Sequence, residues 1–266
     1  MKIAIAQMKC YTGDVALNCA HVSDLVQHAH RLGCEAIVFP EMTDTGYDMN
    51  SIKETASPWT GLPFATARRA AKDCKMHVIC GLSEREYESI YNSLAIFNPE
   101  GELIGKYRKT HLFSPDPVNE NRYIVAGNSL EVVPIGDMKW GFMICYDLRF
   151  PEVSRQLLRR GAEVLVVCSA WPCSRESHWK TLTAARAIEN QACVIAANRV
   201  GSDGPLTFCG SSCIIGPDGT PVIAGSSEKE ELVIGEIDRE AIINYRNITP
   251  FLKDRWDDLY KQWECA

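Results

Sequence analysis

The chain has 266 residues, of which 46% are hydrophobic and 23% charged, and its formal net charge is −6. This length can bury a large core, and the composition is ordinary for one globular domain spanning residues 1–266. The acidic balance argues against nucleic acid or an anionic membrane as a partner, since both favour clustered lysines and arginines. The apolar run after Met1 is too short for a signal peptide, and no window approaches the ~18 apolar residues of a membrane span. We therefore expect a soluble, cytoplasmic protein.

Twelve cysteines raise the question of disulfides or a metal site. Most lie inside apolar runs, as Cys80 does in HVIC, where a free thiol behaves as a small hydrophobic side chain. The spacings do not fit zinc, because neither Cys209 with Cys213 nor Cys168 with Cys173 is matched by a second pair. A chain of this size also needs no disulfide bonds. We expect packing roles for most of these thiols.

Strand and helix patterns alternate from the N-terminus onward. Residues 2–8 alternate as in a strand, and residues 16–32 carry apolar positions at helical spacing, with Gly33 as the stop signal. The segment CEAIVFP then predicts a short buried strand that is closed by Pro40.

This pattern occurs twice in the chain. RLGCEAIVFPE at 31–41 resembles RRGAEVLVVCS at 159–169, and each copy is followed by a helix, at 63–75 and 178–190. A strand comes next, MHVICGL or ACVIAANRV, and then a hairpin with a Pro-Glu-Gly or Pro-Asp-Gly turn. Unless α/β units resemble one another here by chance, the repeat predicts pseudo-symmetric halves with two facing sheets and helices outside.

Three polar residues stand at strand ends that would converge on one rim of such a pair of sheets. Glu41 ends the strand AIVFP, and Lys109 follows the strand and bend within ELIGKYRKTHLF. Cys145 ends WGFMIC and precedes a turn into a helix that begins near Pro151. A strand that delivers a nucleophile to a turn exposes the side chain while holding its backbone fixed.

Each of these residue types has a role in amide cleavage. Only a few per cent of an ordinary thiol is thiolate at neutral pH, and a nearby ammonium favours the anion. Glu41 would take the thiol proton and pass it to the leaving amine, while Lys109 and a backbone N–H after Cys145 would stabilise the oxyanion. The alternatives are that Cys145 is a core residue, Glu41 a turn cap and Lys109 a solvated charge.

The flanking segments FPEMTDTGY, GKYRKTHLF and GFMICYDLRFPE together resemble those of the nitrilase superfamily of carbon–nitrogen hydrolases. The resemblance runs from AIAQM near the start to DRWDDLY near the end. It implies a catalytic triad of Glu41, Lys109 and Cys145, and a four-layer α-β-β-α sandwich. It also implies that the enzyme uses no metal or organic cofactor and forms a homodimer through its outer helices.

Some members of the superfamily carry a second glutamate after the lysine motif. Glu120, seven residues before Gly127 in NENRYIVAGN, matches that pattern. The resemblance implies that it orients Lys109 or the substrate amide, and the alternative is a surface acid in a polar loop.

Within the superfamily the chain is most similar to the omega-amidases, in PEMTDTGYDM and in CSAWP…HWKTLTAARAIENQACVIAANRVGSDG. These enzymes remove the terminal amide of short dicarboxylate monoamides such as 2-oxoglutaramate and 2-oxosuccinamate. A distant carboxylate needs cationic partners, because an unpaired buried charge is costly. The expected substrate contacts are Tyr47, Tyr146, Arg149, Trp171 and Arg175. Arg149 would otherwise hold its turn by pairing with a carboxylate, and Trp171 would simply be packed.

Other activities share these motifs. A deaminated-glutathione amidase or a nitrilase would use the same triad, although nitrilases are usually longer. A thiol hydrolase of another kind would pair Cys145 with His111 or His178 instead. A non-enzymatic binding member of the fold is the remaining alternative, and it is disfavoured because all four polar positions are filled.

Overall fold

The computed structural model describes residues 1–264, and its elements alternate as the sequence predicts. The strands are β1 (Lys2–Gln7), β2 (Ala36–Val38), β3 (His77–Glu86), β4 (Ser89–Phe97), β5 (Leu103–Arg108), β6 (Val132–Ile135), β7 (Met138–Ile144), β8 (Val164–Ser169), β9 (Cys193–Asn198), β10 (Val200–Asp203), β11 (Leu206–Cys209), β12 (Cys213–Ile215), β13 (Pro221–Ala224) and β14 (Glu231–Glu236). The helices are α1 (Val15–Arg31), α2 (Met49–Thr55), α3 (Leu62–Cys74), α4 (Pro151–Arg159), α5 (Glu176–Asn190), α6 (Arg239–Ile248) and α7 (Asp257–Glu264). The predicted bounds of α1 and α3 are one residue late, and α5 begins two residues earlier than predicted.

The strands form two six-stranded sheets and one separate hairpin. The first sheet has the order β14-β1-β2-β3-β4-β5, the second has the order β13-β12-β9-β8-β7-β6, and β10 pairs with β11. In the first sheet β1, β2 and β3 are parallel and are followed by two antiparallel strands. The second sheet repeats this arrangement with β7, β8 and β9, followed by β12 and β13. The predicted pseudo-symmetry of the two halves is therefore confirmed.

The glutamate of the sequence repeat makes the same contacts in both halves. The backbone N–H of Glu35 donates to the carbonyl of Lys2 at 2.8 Å, and that of Glu163 donates to the carbonyl of Lys139 at 2.8 Å. Each carboxylate accepts a hydrogen bond from the backbone N–H of the same lysine, at 2.8 Å for Lys2 and 3.2 Å for Lys139. These shared contacts favour a true structural repeat over a chance similarity.

Apolar packing produces the four layers. Ile5 and Leu94 of the first sheet cluster with Trp140 and Phe142 of the second, which places a core between the sheets. Helices α1 and α3 pack on the outer face of the first sheet in a second apolar cluster. Helices α4 and α5 cover the second sheet, and a side chain at Gly141 would place its Cβ 3.0 Å from Leu157 of α4. The predicted α-β-β-α sandwich is confirmed.

The chain between residues 1 and 264 contains no helix with both the length and the apolar character needed to cross a lipid bilayer. Every cysteine in this part of the chain is a free thiol, and all are buried except Cys173. The packing role predicted for most of them is consistent with this burial.

Candidate active site

Glu41 lies in the turn after β2 and is fully buried between the two sheets. Its Oε1 accepts hydrogen bonds from Lys109 Nζ at 2.8 Å and from Asn92 Nδ2 at 2.6 Å. Its Oε2 accepts from the backbone N–H of Ala170, which follows β8 in the opposite sheet, at 2.8 Å. The turn lies close against β3, because the Cβ of any side chain at Gly81 would stand 2.1 Å from the carbonyl oxygen of Pro40.

Lys109 follows β5 and is also fully buried, so it is not a solvated charge. Its Nζ donates to Glu41 at 2.8 Å and to Glu120 at 2.9 Å. Burial alone would lower the pKa of Lys109, but the negative charges of Glu120 and Glu41 outweigh it, and the pKa is raised. The side chain is therefore a permanently charged ammonium held between two carboxylates.

Glu120 is fully buried too, so the alternative of a surface acid is wrong. Besides the ammonium of Lys109, its Oε1 accepts from the hydroxyl of Tyr47 at 2.9 Å, and its Oε2 accepts from the N–H of Phe113 at 2.6 Å. Burial raises the pKa of Glu120, while Lys109 lowers it. The segment after Glu120 passes close to Lys109, since the N–H of Gly127 donates to the backbone carbonyl of Lys109 at 2.8 Å.

Asn92 on β4 is a member of this cluster that the sequence analysis missed. Its side-chain Nδ2 donates to Glu41 at 2.6 Å and to Glu120 at 3.4 Å. Its backbone carbonyl accepts from the backbone N–H of Lys109 at 2.8 Å. One amide side chain therefore sets the spacing of both carboxylates. The available signal was a polar residue inside the buried strand SIYNSLAIF.

Cys145 follows β7 and begins a short 3₁₀ turn over Cys145–Arg149. Its φ of 43° is in the left-handed region, which is sparsely populated by residues other than glycine and clusters at functional sites. Burial and the charge of Glu41 raise the pKa of Cys145, and Lys109 lowers it by less. Lys109 therefore favours the thiolate, as expected, but burial and Glu41 outweigh it, so the resting sulfur is held as a thiol.

Asp147, two residues after Cys145, fixes this turn. Its Oδ2 accepts from the N–H of Ile144 at 2.9 Å and from the hydroxyl of Tyr107 at 2.7 Å. Its Oδ1 accepts from Thr110 Oγ1 and from the N–H of His111, both at 3.0 Å. The segment that carries Lys109 and the turn that carries Cys145 are thus bound to one buried carboxylate, which the sequence analysis did not single out.

A cavity of about 40 Å³ opens beside Cys145. The cavity is narrow, so it suits a slender linear ligand better than a bulky one. Its walls are mainly aromatic and aliphatic, and they include all five of the expected substrate contacts. These are Tyr47, Tyr146, Arg149, Trp171 and Arg175.

Two guanidinium groups line this cavity without a carboxylate partner among residues 1–264. The Arg149 guanidinium lies 4.6 Å from the centre of the Trp171 ring, and that of Arg175 lies 5.3 Å from the centre of the Phe113 ring. Burial and the neighbouring charge of Arg175 lower the pKa of Arg149. The alternative in which Arg149 pairs with a carboxylate is wrong, and both cations are available to an anionic ligand.

The histidines of the rival mechanism have other contacts. His111 Nδ1 lies 3.0 Å from Asp147 Oδ1, and its ring stacks on Phe150 with centroids 3.9 Å apart. His178 is exposed, and its Nδ1 lies 3.4 Å from a guanidinium nitrogen of Arg149. In the described part of the chain, no hydrogen bond links either ring to Cys145, and no group of three or more His, Cys, Asp or Glu side chains is arranged to hold a metal ion.

Comparisons with known proteins agree with this architecture. The family model for carbon–nitrogen hydrolases matches residues 2–247. The chain is 37% identical over 227 residues to the 2-oxoglutaramate amidase of Bacillus subtilis, covering 85% of this chain and 86% of that protein. It is 31% identical over 268 residues to a nitrilase of Pyrococcus abyssi, covering 98% of this chain and 99% of that protein. A glutamate-to-glutamine mutant of the amidase from Nesterenkonia sp. AN1, solved with acrylamide added to its active-site cysteine, superposes with a TM-score of 0.87 at 25% identity, covering 99% of each chain.

Proposed function

This chain belongs to the carbon–nitrogen hydrolase family, and we propose that it cleaves the terminal amide of a small linear carboxylate monoamide. The observation that carries the proposal is the placement of Lys109 Nζ 2.8 Å from Glu41 Oε1, beside a buried Cys145 whose cavity also holds two free guanidinium groups. The expected substrates are 2-oxoglutaramate and 2-oxosuccinamate, which carry a carboxylate at the end remote from the amide.

The first chemical step is attack by Cys145 on the amide carbon. Because the thiol is neutral at rest, its proton must leave as the carbon–sulfur bond forms, and Glu41 is the base that receives it. The electron pair of the carbonyl moves to oxygen. The Lys109 ammonium and the N–H of Tyr146 stabilise that oxyanion, and one such donor typically contributes about 10²–10³ in rate.

Collapse of the tetrahedral intermediate then releases ammonia. The proton held by Glu41 passes to the nitrogen as the carbon–nitrogen bond breaks, because an amide anion is not a viable leaving group. A thioester to Cys145 remains. Water attacks this thioester, and Glu41 takes a proton from the water. The carbon–sulfur bond then breaks as Glu41 gives that proton to the sulfur, which releases the carboxylic acid product and restores both the thiol and the carboxylate.

The two arginines select the substrate by binding the carboxylate at its far end. A carboxylate that enters the narrow cavity with its amide at Cys145 meets Arg149 and Arg175, neither of which has to give up an existing carboxylate partner. Charge-assisted hydrogen bonds to guanidinium groups are the strong kind, and they are stronger in a poorly solvated cavity. The relative from Bacillus subtilis is named for 2-oxoglutaramate, which fits this requirement.

The second candidate is nitrile hydrolysis with the same triad, which the similarity to the nitrilase of Pyrococcus abyssi favours. An ammonia-release screen separates the two. We expect turnover of 2-oxoglutaramate and 2-oxosuccinamate, with much slower turnover of glutamine, deaminated glutathione and a simple nitrile. Preference for the nitrile, or ammonia release that is unchanged in Cys145→Ala, would contradict the proposal.

Exchanging Glu41 separates the proposed mechanism from a cysteine–histidine hydrolase. Glu41→Gln keeps the shape of the side chain but removes the base, so ammonia release should fall by a factor of about 10²–10⁴. An enzyme that used His111 or His178 as its base would retain most of its activity. A non-enzymatic binding protein would release no ammonia in any of these assays.

The homodimer remains part of the proposal. Light scattering on the purified protein should give twice the mass of one chain, and a single-chain mass would remove the dimer without affecting the chemistry.

A further inference from the structure

Ser169 is the last residue of β8 and stands beside the nucleophile. Strands β7 and β8 are parallel, and their pairing ends with Ile144 opposite Cys168. Ser169 is the next residue on β8, and Cys145 is the residue that follows β7. The backbone of Ser169 is held by a hydrogen bond from the N–H of Arg199 to its carbonyl at 3.2 Å. The neighbouring Ala170 donates its N–H to Glu41, so Ser169 is enclosed by the catalytic cluster.

The hydroxyl of Ser169 is fully buried, and its Oγ has no hydrogen-bond partner among residues 1–264. A buried hydroxyl without a partner destabilises a fold, so a serine in this apolar strand needs a reason other than stability. The Ser169 hydroxyl favours the thiolate form of Cys145 and so lowers its pKa, although burial raises that pKa by more. A serine hydroxyl rotates freely, so it can turn toward the sulfur when negative charge develops there.

We propose that Ser169 is a catalytic hydrogen-bond donor to the sulfur of Cys145, stabilising the thiolate as its proton moves to Glu41. This role rests on the proposed function, in which Cys145 is the nucleophile. Lys109 stabilises the thiolate only partly, because its ammonium is shared between two carboxylates, and the Ser169 hydroxyl would add to that stabilisation. Ser169 would donate again when the sulfur departs from the thioester.

The test compares Ser169→Ala with Ser154→Ala in the full-length protein. Ser154 is equally buried, but its Oγ donates to the carbonyl of Pro151 at 3.0 Å on the outer helix α4, so it is a matched hydroxyl deletion outside the site. Each protein is treated with iodoacetamide between pH 6 and 10. The rate is read from the peptide that contains Cys145, so that the exposed Cys173 does not contribute.

A hydrogen bond to a charged group should favour the thiolate over the thiol of Cys145 by about 10- to 100-fold. Since the thiolate is the form that is alkylated, Ser169→Ala should lower the alkylation rate at pH 7 by that factor. Because the pKa of Cys145 is raised, the alkylation rates of both proteins should climb with pH across this range, with Ser169→Ala slower by the same factor at each pH. Thermal unfolding should be unchanged or occur at a higher temperature, since an unpartnered hydroxyl has been removed. Ser154→Ala should keep the wild-type alkylation rate at every pH.

The proposal is overturned if Ser169→Ala is alkylated at Cys145 as fast as the wild type across this pH range, or if Ser154→Ala is slowed equally. It is also overturned if Cys145 in the wild type is not alkylated at any pH. These failures differ from failure of the proposed function, which would appear as undiminished ammonia release by Cys145→Ala.

Discussion

The carboxylate of Asp147 accepts a hydrogen bond from the hydroxyl of Tyr107 at 2.7 Å, and this contact joins two parts of the site that are distant in the chain. Tyr107 precedes Lys109 by two residues, and Asp147 follows Cys145 by two. The same carboxylate accepts from the N–H of Ile144, the residue directly before Cys145. The relative position of the ammonium and the sulfur therefore depends on one buried anion.

Asp147→Asn should impair both stability and chemistry. Each carboxylate oxygen of Asp147 accepts from two donors, and in the asparagine an NH2 group would replace one of these oxygens. The free energy of unfolding should therefore fall by about 3 kcal/mol. Under conditions where the variant remains folded, kcat should fall at least tenfold, because the ammonium and the sulfur lose their fixed relative position. Steady-state kinetics and urea unfolding measure these effects. The control is Asp218→Asn, an exposed turn residue that accepts from Thr220, and equal kinetic losses in both variants would contradict the positioning role.

Lys109→Met should lower ammonia release by about 10²–10³, the contribution of one oxyanion donor. A loss of tenfold or less would remove Lys109 from the chemistry.

The same variant should acquire a pH-dependent stability. Burial already raises the pKa of Glu120, and loss of the neighbouring ammonium raises it further. The folded state then binds its proton more tightly than the unfolded chain, so the free energy of unfolding falls as the pH rises from 5 to 8. The fall is about 1.4 kcal/mol for each pH unit that separates the two pKa values. Urea unfolding across this range should show it, and Lys261→Met, which removes an exposed lysine, should follow the wild type.

Arg175→Met should weaken recognition of the distal carboxylate. For 2-oxoglutaramate we expect KM to rise about tenfold or more, the loss of one charge-assisted hydrogen bond, with little change in kcat. For a neutral amide such as propionamide KM should not rise. Arg69→Met, at an exposed arginine on α3, is the control. An equal rise of KM for both amides would contradict a carboxylate-binding role.

Much of the fold is predictable from the sequence because local signals repeat in both halves. The turn prediction is confirmed at Gly101 and Gly219, which have φ values of 76° and 86°. The short helix α2 was not predicted, although Asp48 before it accepts from Ser51 N–H at 2.8 Å, a capping signal readable in the sequence. The hairpin β10–β11 and the helices α6 and α7 were also not predicted.

The polar residues that support the site were harder to predict than the residues expected to react. Asp147 lies inside the quoted segment GFMICYDLRFPE, but its role depends on Tyr107, 40 residues earlier in the chain. Asn92 likewise contacts Glu41, which is 51 residues away. Which face a strand residue presents depends on sheet register, and a one-residue slip reverses it. Local patterns therefore located Glu41, Lys109 and Cys145, whereas the residues between them required the three-dimensional pairing of the strands.

The most direct test is to trap the covalent intermediate on Cys145. Wild-type protein mixed with 2-oxoglutaramate and quenched in acid within milliseconds should gain the mass of the substrate less ammonia, and peptide mapping should place that mass on Cys145. Cys145→Ala should show no adduct and no ammonia release, with an unchanged thermal unfolding midpoint. Ammonia release by Cys145→Ala at near the wild-type rate, or an acyl group on a different residue, would contradict the mechanism.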